Sequence, residues 1–477
     1  MEPVEEKTTM VGRPNLMRVA CIIFAVWTGA AIFSSRCLYA DGAHEFVKVL
    51  QTQDFFSTMW SRHFAFYIYE FPLVLAIKLG VTNLAWLRLA FGLGRFLPWP
   101  LVLLGCRWLS PKHFWLAVVG CAAGYLNAAF TADGAHNLAH AFFWPSLFAI
   151  LFARPLKPLA AVMLLVSAAA MLYSYESQLF LCLPLALLAS WRSGREKQEG
   201  HRIWVVFLTA AVFFFAGATI GLRGILMPEI YSCFASFKAS TWGMLGHMGW
   251  TLTWTTVWAC LALAVWFSKT VGRIISHQAA IGLLLAGLVV WGIWPLLRPD
   301  RLDTARQYDN RALDMFVPLA LLPVALILRL RPQWIEPRRA QLVQLAAGLL
   351  MAQSLWQLNA TWQWQADVGK LQGVLSSRRG IVPLHASILG TSSMESRALD
   401  FDWTWPCLSI ALNPGPQIHS LVCSESYTNP RHRDRFWRDT FWQPFDPLEV
   451  KTLPDLRHYG LDFSDYISAL NSDHPGK

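Results

Sequence analysis

Apolar runs of about 20 residues recur along most of the chain, divided by short polar turns. They lie near 18–39, 113–130, 136–153, 157–174, 177–191, 203–222, 249–268, 278–297, 312–330 and 339–357, with a further apolar region between Phe64 and Cys106. Wound as a helix, a run of that length crosses a hydrocarbon core of roughly 30 Å. The pattern therefore predicts an all-α polytopic membrane protein. From Thr361 onward it changes: Gly/Pro turns separate short β-like runs, as at 381–384 and 420–423, and tryptophan is frequent. The chain divides accordingly into a polar segment 1–17, a membrane domain 18–357 and a small α/β domain 358–477.

Basic residues orient the spans. With the N-terminus inside, the turns at 107–112, 154–157, 192–202, 269–273 and 329–339 fall on the same side, and all five carry lysine or arginine, as the positive-inside rule requires. The opposite face then receives 41–63, 133–136, 175–176, 223–247, 298–311 and the tail from Thr361. An odd number of crossings must separate residue 41 from residue 107, yet hydropathy shows two apolar stretches, 65–80 and 83–106. One of them is re-entrant, or the second is a broken pair for which Pro98 and Pro100 provide the break. The expectation is 11 or 13 spans with the C-terminus outside.

Composition agrees with this reading: 55% hydrophobic, 15% charged, mean hydropathy +0.37. A disordered or collagenous chain is excluded. The net charge of +10 does not point to nucleic acid. The segment from Thr361 holds 11 Lys+Arg against 13 Asp+Glu, or −2, so +12 belongs to the membrane part, in turns where topology accounts for it. Nine cysteines show no CxxC pair and no zinc pattern. Cys407 and Cys423 share the tail, where an oxidising compartment would permit a disulfide. Asn359-Ala-Thr361 matches a glycosylation sequon.

Four clusters could carry chemistry. Directly after the first span comes Tyr39-Ala-Asp-Gly-Ala-His-Glu45. Asp41 can be read as a helix N-cap, or as a carboxylate fixed at the membrane surface and serving as a general base, with His44 one turn on. The five residues Ala-Asp-Gly-Ala-His recur at 132–136, placing Asp133 and His136 on the same face, with Asp133 orienting a substrate or the base. Tyr173-Ser-Tyr-Glu-Ser177 sets Glu176 between two apolar runs, where an acid must be paired, protonated or lining a polar cavity; Glu70 follows the same logic. The loop 298–311 brings Arg298, Arg301, Arg306, Tyr308 and Arg311 to the outer face against the charge bias, and guanidinium groups bind phosphate bidentately. Arg62, His63, Arg223 and Lys238 could add to such a pocket.

In layout the chain resembles the GT-C superfamily of glycosyltransferases, specifically the bacterial aminoarabinose and protein-mannosyl transferases. The resemblance covers about residues 15–357 and rests on the order of Asp41, the aromatic approach at 64–72, Leu87-Arg-Leu89, Gly105-Cys-Arg-Trp-Leu109, Asp133 and the arginine loop. The family's Arg-Pro before the second outer Asp is missing, and Arg62-His63 with a lone Pro72 replaces its basic-Pro-Pro motif.

The resemblance implies one inverting displacement: Asp41 takes a proton from an acceptor hydroxyl on a glycan, lipid or protein, and polyprenyl phosphate leaves, steadied by the outer arginines. It implies no metal and no cofactor, since the lipid-linked sugar is a substrate, and no nucleic-acid partner. The place would be a bacterial inner membrane with the site periplasmic. A polysaccharide polymerase or ligase of the O-antigen type and an amphipathic-lipid transporter or flippase are the alternatives.

Overall fold

The computed structural model describes residues 16–57, 60–127, 135–176, 178–227, 305–383, 404–423 and 454–473; at 127, 305–313, 454–455 and 470–473 it gives only the backbone course. Ten helices precede residue 228: α1 (Leu16–Phe33), α2 (Asp41–Thr52), α3 (His63–Lys78), α4 (Leu84–Phe96), α5 (Pro98–Leu109), α6 (Phe114–Ala123), α7 (Ala135–Leu151), α8 (Pro158–Ala170), α9 (Gln178–Gln198) and α10 (Trp204–Leu226). Then come α11 (Ala305–Leu330) and α12 (Arg339–Ser377), followed by β1 (Gly380–Pro383), α13 (Trp405–Ala411), β2 (Ser420–Cys423), α14 (Pro454–Arg457) and α15 (Ser464–Asp473). The described chain is mostly helical with one small sheet.

Helix α7 is the axis of the bundle: every one of its residues except Phe142 is buried. It packs against α5, α8, α9 and α11, while α12 lies along α1 and α6. Two glycines set the closest approaches. A Cβ on Gly94 would overlap the Tyr69 carbonyl, so α4 can meet α3 only without a side chain there, and Gly120 likewise makes room for the Trp144 ring. Large apolar side chains point outward on α1, α3, α5, α8 and α10, among them Ile22, Phe71, Leu104, Val162 and Val212. Such a surface suits contact with lipid rather than water.

The count of 11 or 13 spans is not upheld. Among the described residues two helices, α1 and α10, are long and apolar enough to cross a membrane, or three elements if the bent pair α4–α5 is one span. Two apolar runs, 249–268 and 278–297, lie outside the described residues. The runs at 113–130 and 157–174 form apolar helices too short for a full crossing, α6 with 10 residues and α8 with 13, whereas α9, α11 and α12 are long enough but not apolar enough. A hydropathy window registers apolar composition and passes over the turns that end a helix. The break foreseen near Pro98 is present, since α4 ends at Phe96 and α5 begins at Pro98 with a 40° bend. Proline lacks the N–H that would continue the ladder.

Downstream, β1 and β2 pair in parallel, Gly380 opposite Ser420 through Pro383 opposite Cys423. The runs expected at 381–384 and 420–423 are thus met by strands at 380–383 and 420–423, with 384 outside the described residues. The boundary at 357/358 falls inside α12, which continues unbroken to Ser377. Cys407 and Cys423 are both buried and neither is in a disulfide. The sequon is closed as well, because Thr361 is buried in mid-helix with its hydroxyl engaged.

Helix α2 is not the surface helix that its amphipathic pattern suggests. Eight of its 12 residues are buried. Helices α13 and α14 pack over it, Tyr459 Oη donates to Leu50 O at 3.2 Å, and Arg88 on α4 donates to Ala411 O at 2.8 Å. Asp41, Lys48 and Gln51 on α2 stay half-buried.

Candidate active site

Asp41 is positioned by a strained turn. Helix α1 stops at Phe33, a 3-10 turn spans Arg36–Leu38, and two non-glycine residues, Ser35 (φ 56°) and Ala40 (φ 49°), take left-handed backbone. Such conformations persist where surrounding contacts hold them. Arg36 supplies those contacts: buried to 1% exposure, its Nη1 donates to Gln357 O (3.2 Å), Gln357 Oε1 (3.0 Å) and Thr361 Oγ1 (2.8 Å) on α12. Trp364 Nε1 donates to Ser34 O at 3.0 Å, and Gln357 Nε2 donates to Leu126 O at 2.9 Å. Asp41 is the first residue of α2 and half-buried; the N-cap position is Ala40. The carboxylate thus stands in the first turn, where the helix dipole favours negative charge.

Two residues of α2 turn inward. His44 is buried with its ring edge-on to Phe56 (centroids 5.7 Å), and Glu45 forms a buried ion pair with Arg95 on α4. The Arg95 guanidinium lies over the rings of Tyr69 (4.8 Å) and Phe91 (4.9 Å). Glu45 closes the first cluster without a role of its own there, and Arg95 did not stand out in the sequence.

A second group gathers where α3, α9 and α10 end. Glu176 accepts from Arg62 through Nε–Oε1 (3.2 Å) and Nη2–Oε2 (2.9 Å), and from Ser61 Oγ (3.1 Å). The guanidinium also covers the Tyr175 ring at 4.3 Å. Burial pushes the Glu176 carboxyl up, but the Arg62 charge and hydrogen bonds and the Ser61 hydroxyl outweigh it and hold the group below the usual carboxylate range. Arg62 and Glu176, both predicted to touch substrate, are thus saturated largely by one another. Nearby, His63 stacks on Tyr67 (5.8 Å) and Arg223 covers Trp60 (4.8 Å). Glu70, fully buried, accepts from Phe56 N at 2.8 Å.

The third group lies in the bundle interior. His136 and His140, one turn apart on α7, flank Asp314 on α11: His140 Nδ1 is 2.7 Å from Oδ1 and His136 Nε2 is 3.4 Å from Oδ2. All three are nearly inaccessible. The His140 ring fits because residue 124 is glycine, whose Cβ would overlap it, and Trp99 meets the ring edge-on at 4.9 Å. Asn137, 2% exposed, has neither amide atom partnered among the described residues. His140 and Asp314 went unnoticed in the sequence, although the His136–His140 spacing of one helical turn was a usable signal.

Tyr175 joins the second and third groups, its ring 5.4 Å from His136 and beneath Arg62. It also packs on the cluster of Tyr69, Ala135 and Leu138, and Tyr69 leads to Arg95 and Glu45. One chain of buried contacts, apolar between Tyr175 and Tyr69, therefore runs from α2 to the turn before α9.

The remaining predicted residues are not placed. Asp133, Arg298, Arg301 and Lys238 lie outside the described residues. Arg306, Tyr308 and Arg311 belong to the first turns of α11, where only the backbone course is given. Among the described residues one group has metal-ligand spacing, Glu196, Glu199 and His201. Arg192 and Arg195 already pair with its two acids.

No family model, curated protein or solved structure matches this chain.

Proposed function

We propose that the protein is a membrane glycosyltransferase that moves a sugar from a polyprenyl-phosphate donor to an acceptor hydroxyl, with Asp41 as the general base. The observation that carries this reading is the mounting of Asp41. A half-buried carboxylate stands one short turn beyond a membrane-length helix. The turn before it is held from α12 by Arg36, and its helix is held from α4 through Glu45–Arg95 and by packing against α13. Proton abstraction requires a base held in fixed position against its substrate, and this support provides it. In this reading the site and the C-terminal domain face the periplasm of a bacterial inner membrane. The acceptor is a glycan, lipid or protein, and the arginines of 298–311 meet the departing phosphate.

The test supplies purified protein with labelled polyprenyl-phosphate sugars and compares wild type with Asp41→Asn. Transfer should fall by at least about a hundredfold, the usual worth of a general base. Full turnover in the variant would overturn the assignment.

One observation favours a second reading, a transporter or flippase for an amphipathic lipid. Acid–histidine chains inside membrane bundles commonly relay protons, and His136–Asp314–His140 is such a chain. Lipid translocation in reconstituted vesicles without sugar transfer, abolished by Asp314→Asn, would decide for it.

A further inference from the structure

Arg192, in the last third of α9, is 2% exposed. Its Nη2 reaches Glu196 Oε1 at 2.6 Å, and the Phe207 ring lies 5.4 Å from the guanidinium. Nε and Nη1 are buried and have no acceptor among the described residues. Guanidinium N–H groups withdrawn from water without an acceptor are costly, so their persistence calls for a missing partner.

The surroundings make the shortfall one of charge too. Helix α9 packs against α7 and α11. Arg154 follows the end of α7 and Arg329 occupies the last turn of α11, so both come to the end of the bundle where Arg192 lies. Arg154, Arg195 and Arg329 press their charge on Arg192, and Arg154 and Arg195 press on Arg329. The acids on α9 at this end, Glu196 and Glu199, are already engaged: Glu196 by Arg192 and His201, Glu199 by Arg195 at 3.5 Å. Here guanidiniums outnumber carboxylates, and the deepest one has two donors to spare.

We propose that this end of the bundle binds a phosphate-bearing anion, with Arg192 as the buried floor of the site and Arg154 and Arg329 as its rim. The planar donor fork of arginine matches phosphate oxygens in pairs. Basic pockets between membrane helices hold anionic headgroups by the same chemistry. The ligand is a phospholipid headgroup or a soluble phosphate. Fourteen residues of α9, about 21 Å, run from Gln178 at the Glu176 end to Arg192, so the proposal stands apart from the sugar-transfer reading.

The experiment uses the full chain in mild detergent. Native mass spectrometry counts retained phosphatidylglycerol against phosphatidylcholine, and thermal unfolding is followed with millimolar inorganic phosphate against chloride at equal ionic strength. Because Arg192 also holds Glu196, the working variant is Arg154→Gln with Arg329→Gln, whose side chains are more exposed. Wild type should retain phosphatidylglycerol selectively, and the double variant should lose affinity by about thirtyfold while melting as wild type does without ligand. Selective retention of the lipid with no response to phosphate identifies a headgroup site; a phosphate-induced rise in wild type alone identifies a soluble ligand. Equal behaviour of wild type and variant toward both probes would overturn the proposal.

Discussion

The two ends of α9 each carry an arginine–glutamate pair, and the pairs are built differently. Glu176, just before the helix, receives two bonds from Arg62 and one from Ser61, with Tyr175 under the guanidinium. Arg192, near the other end, makes one contact with Glu196 and leaves two donors unused among neighbours of its own sign. The first pair is closed and fixes the path between helices; the second is open and has capacity for a ligand. The same two side-chain types therefore say little about function until their remaining valences are counted.

Breaking the closed pair should have the largest effect. Glu176→Gln strands a buried guanidinium and should cost about 3–5 kcal/mol, seen as a lowered thermal midpoint in detergent. A Glu176→Gln midpoint equal to wild type would mean that the bridge does not fix this end of the helix.

Acid offers a milder route to the same bond. The Glu176 carboxyl is held below its ordinary value in the folded protein, so its contribution is complete above about pH 4.5. That contribution is lost as the pH falls through the depressed folded value. Thermal midpoints recorded from pH 7 downward should therefore decline more steeply below pH 4.5 in wild type than in Glu176→Gln. Parallel curves would remove Glu176 from the acid response.

Ser61→Ala tests the smallest component. Deleting one hydrogen bond of three should cost about 1 kcal/mol by the same measurement, with the Arg62–Glu176 bridge intact. A loss as large as that of Glu176→Gln would mean that the hydroxyl, rather than the bridge, organises this corner.

Local chemistry was legible in the sequence, whereas long-range pairing was not. Pro98 forecast the break between α4 and α5, and the runs 381–384 and 420–423 forecast the strands, because each signal lies within a few residues. Asp41 was correctly set at the start of a helix, one position from the cap expected of it. Arg36 gave no sign of its role: its partner Gln357 is 321 residues away. The pairing of Glu45 with Arg95 gave no sign either, since they stand 50 residues apart in the chain, and the burial of α2 depends on a covering helix, α13, that follows about 350 residues later in the chain. The span count failed for a related reason: apolar content is additive along a window, but the places where helices end are set by turns.

Helix α12 carries a consequence of its own. With 39 residues it is about 58 Å long, nearly twice the thickness of a hydrocarbon layer. Just ahead of it Glu336 is tied to Lys112 at 2.7 Å; midway, Gln357 and Thr361 grip Arg36; beyond it follows β1. The rod acts as a ruler that keeps three distant stations in phase. One residue inserted between Glu336 and Gln357 would turn everything downstream by about 100° and uncouple the grip on Arg36 without touching Asp41.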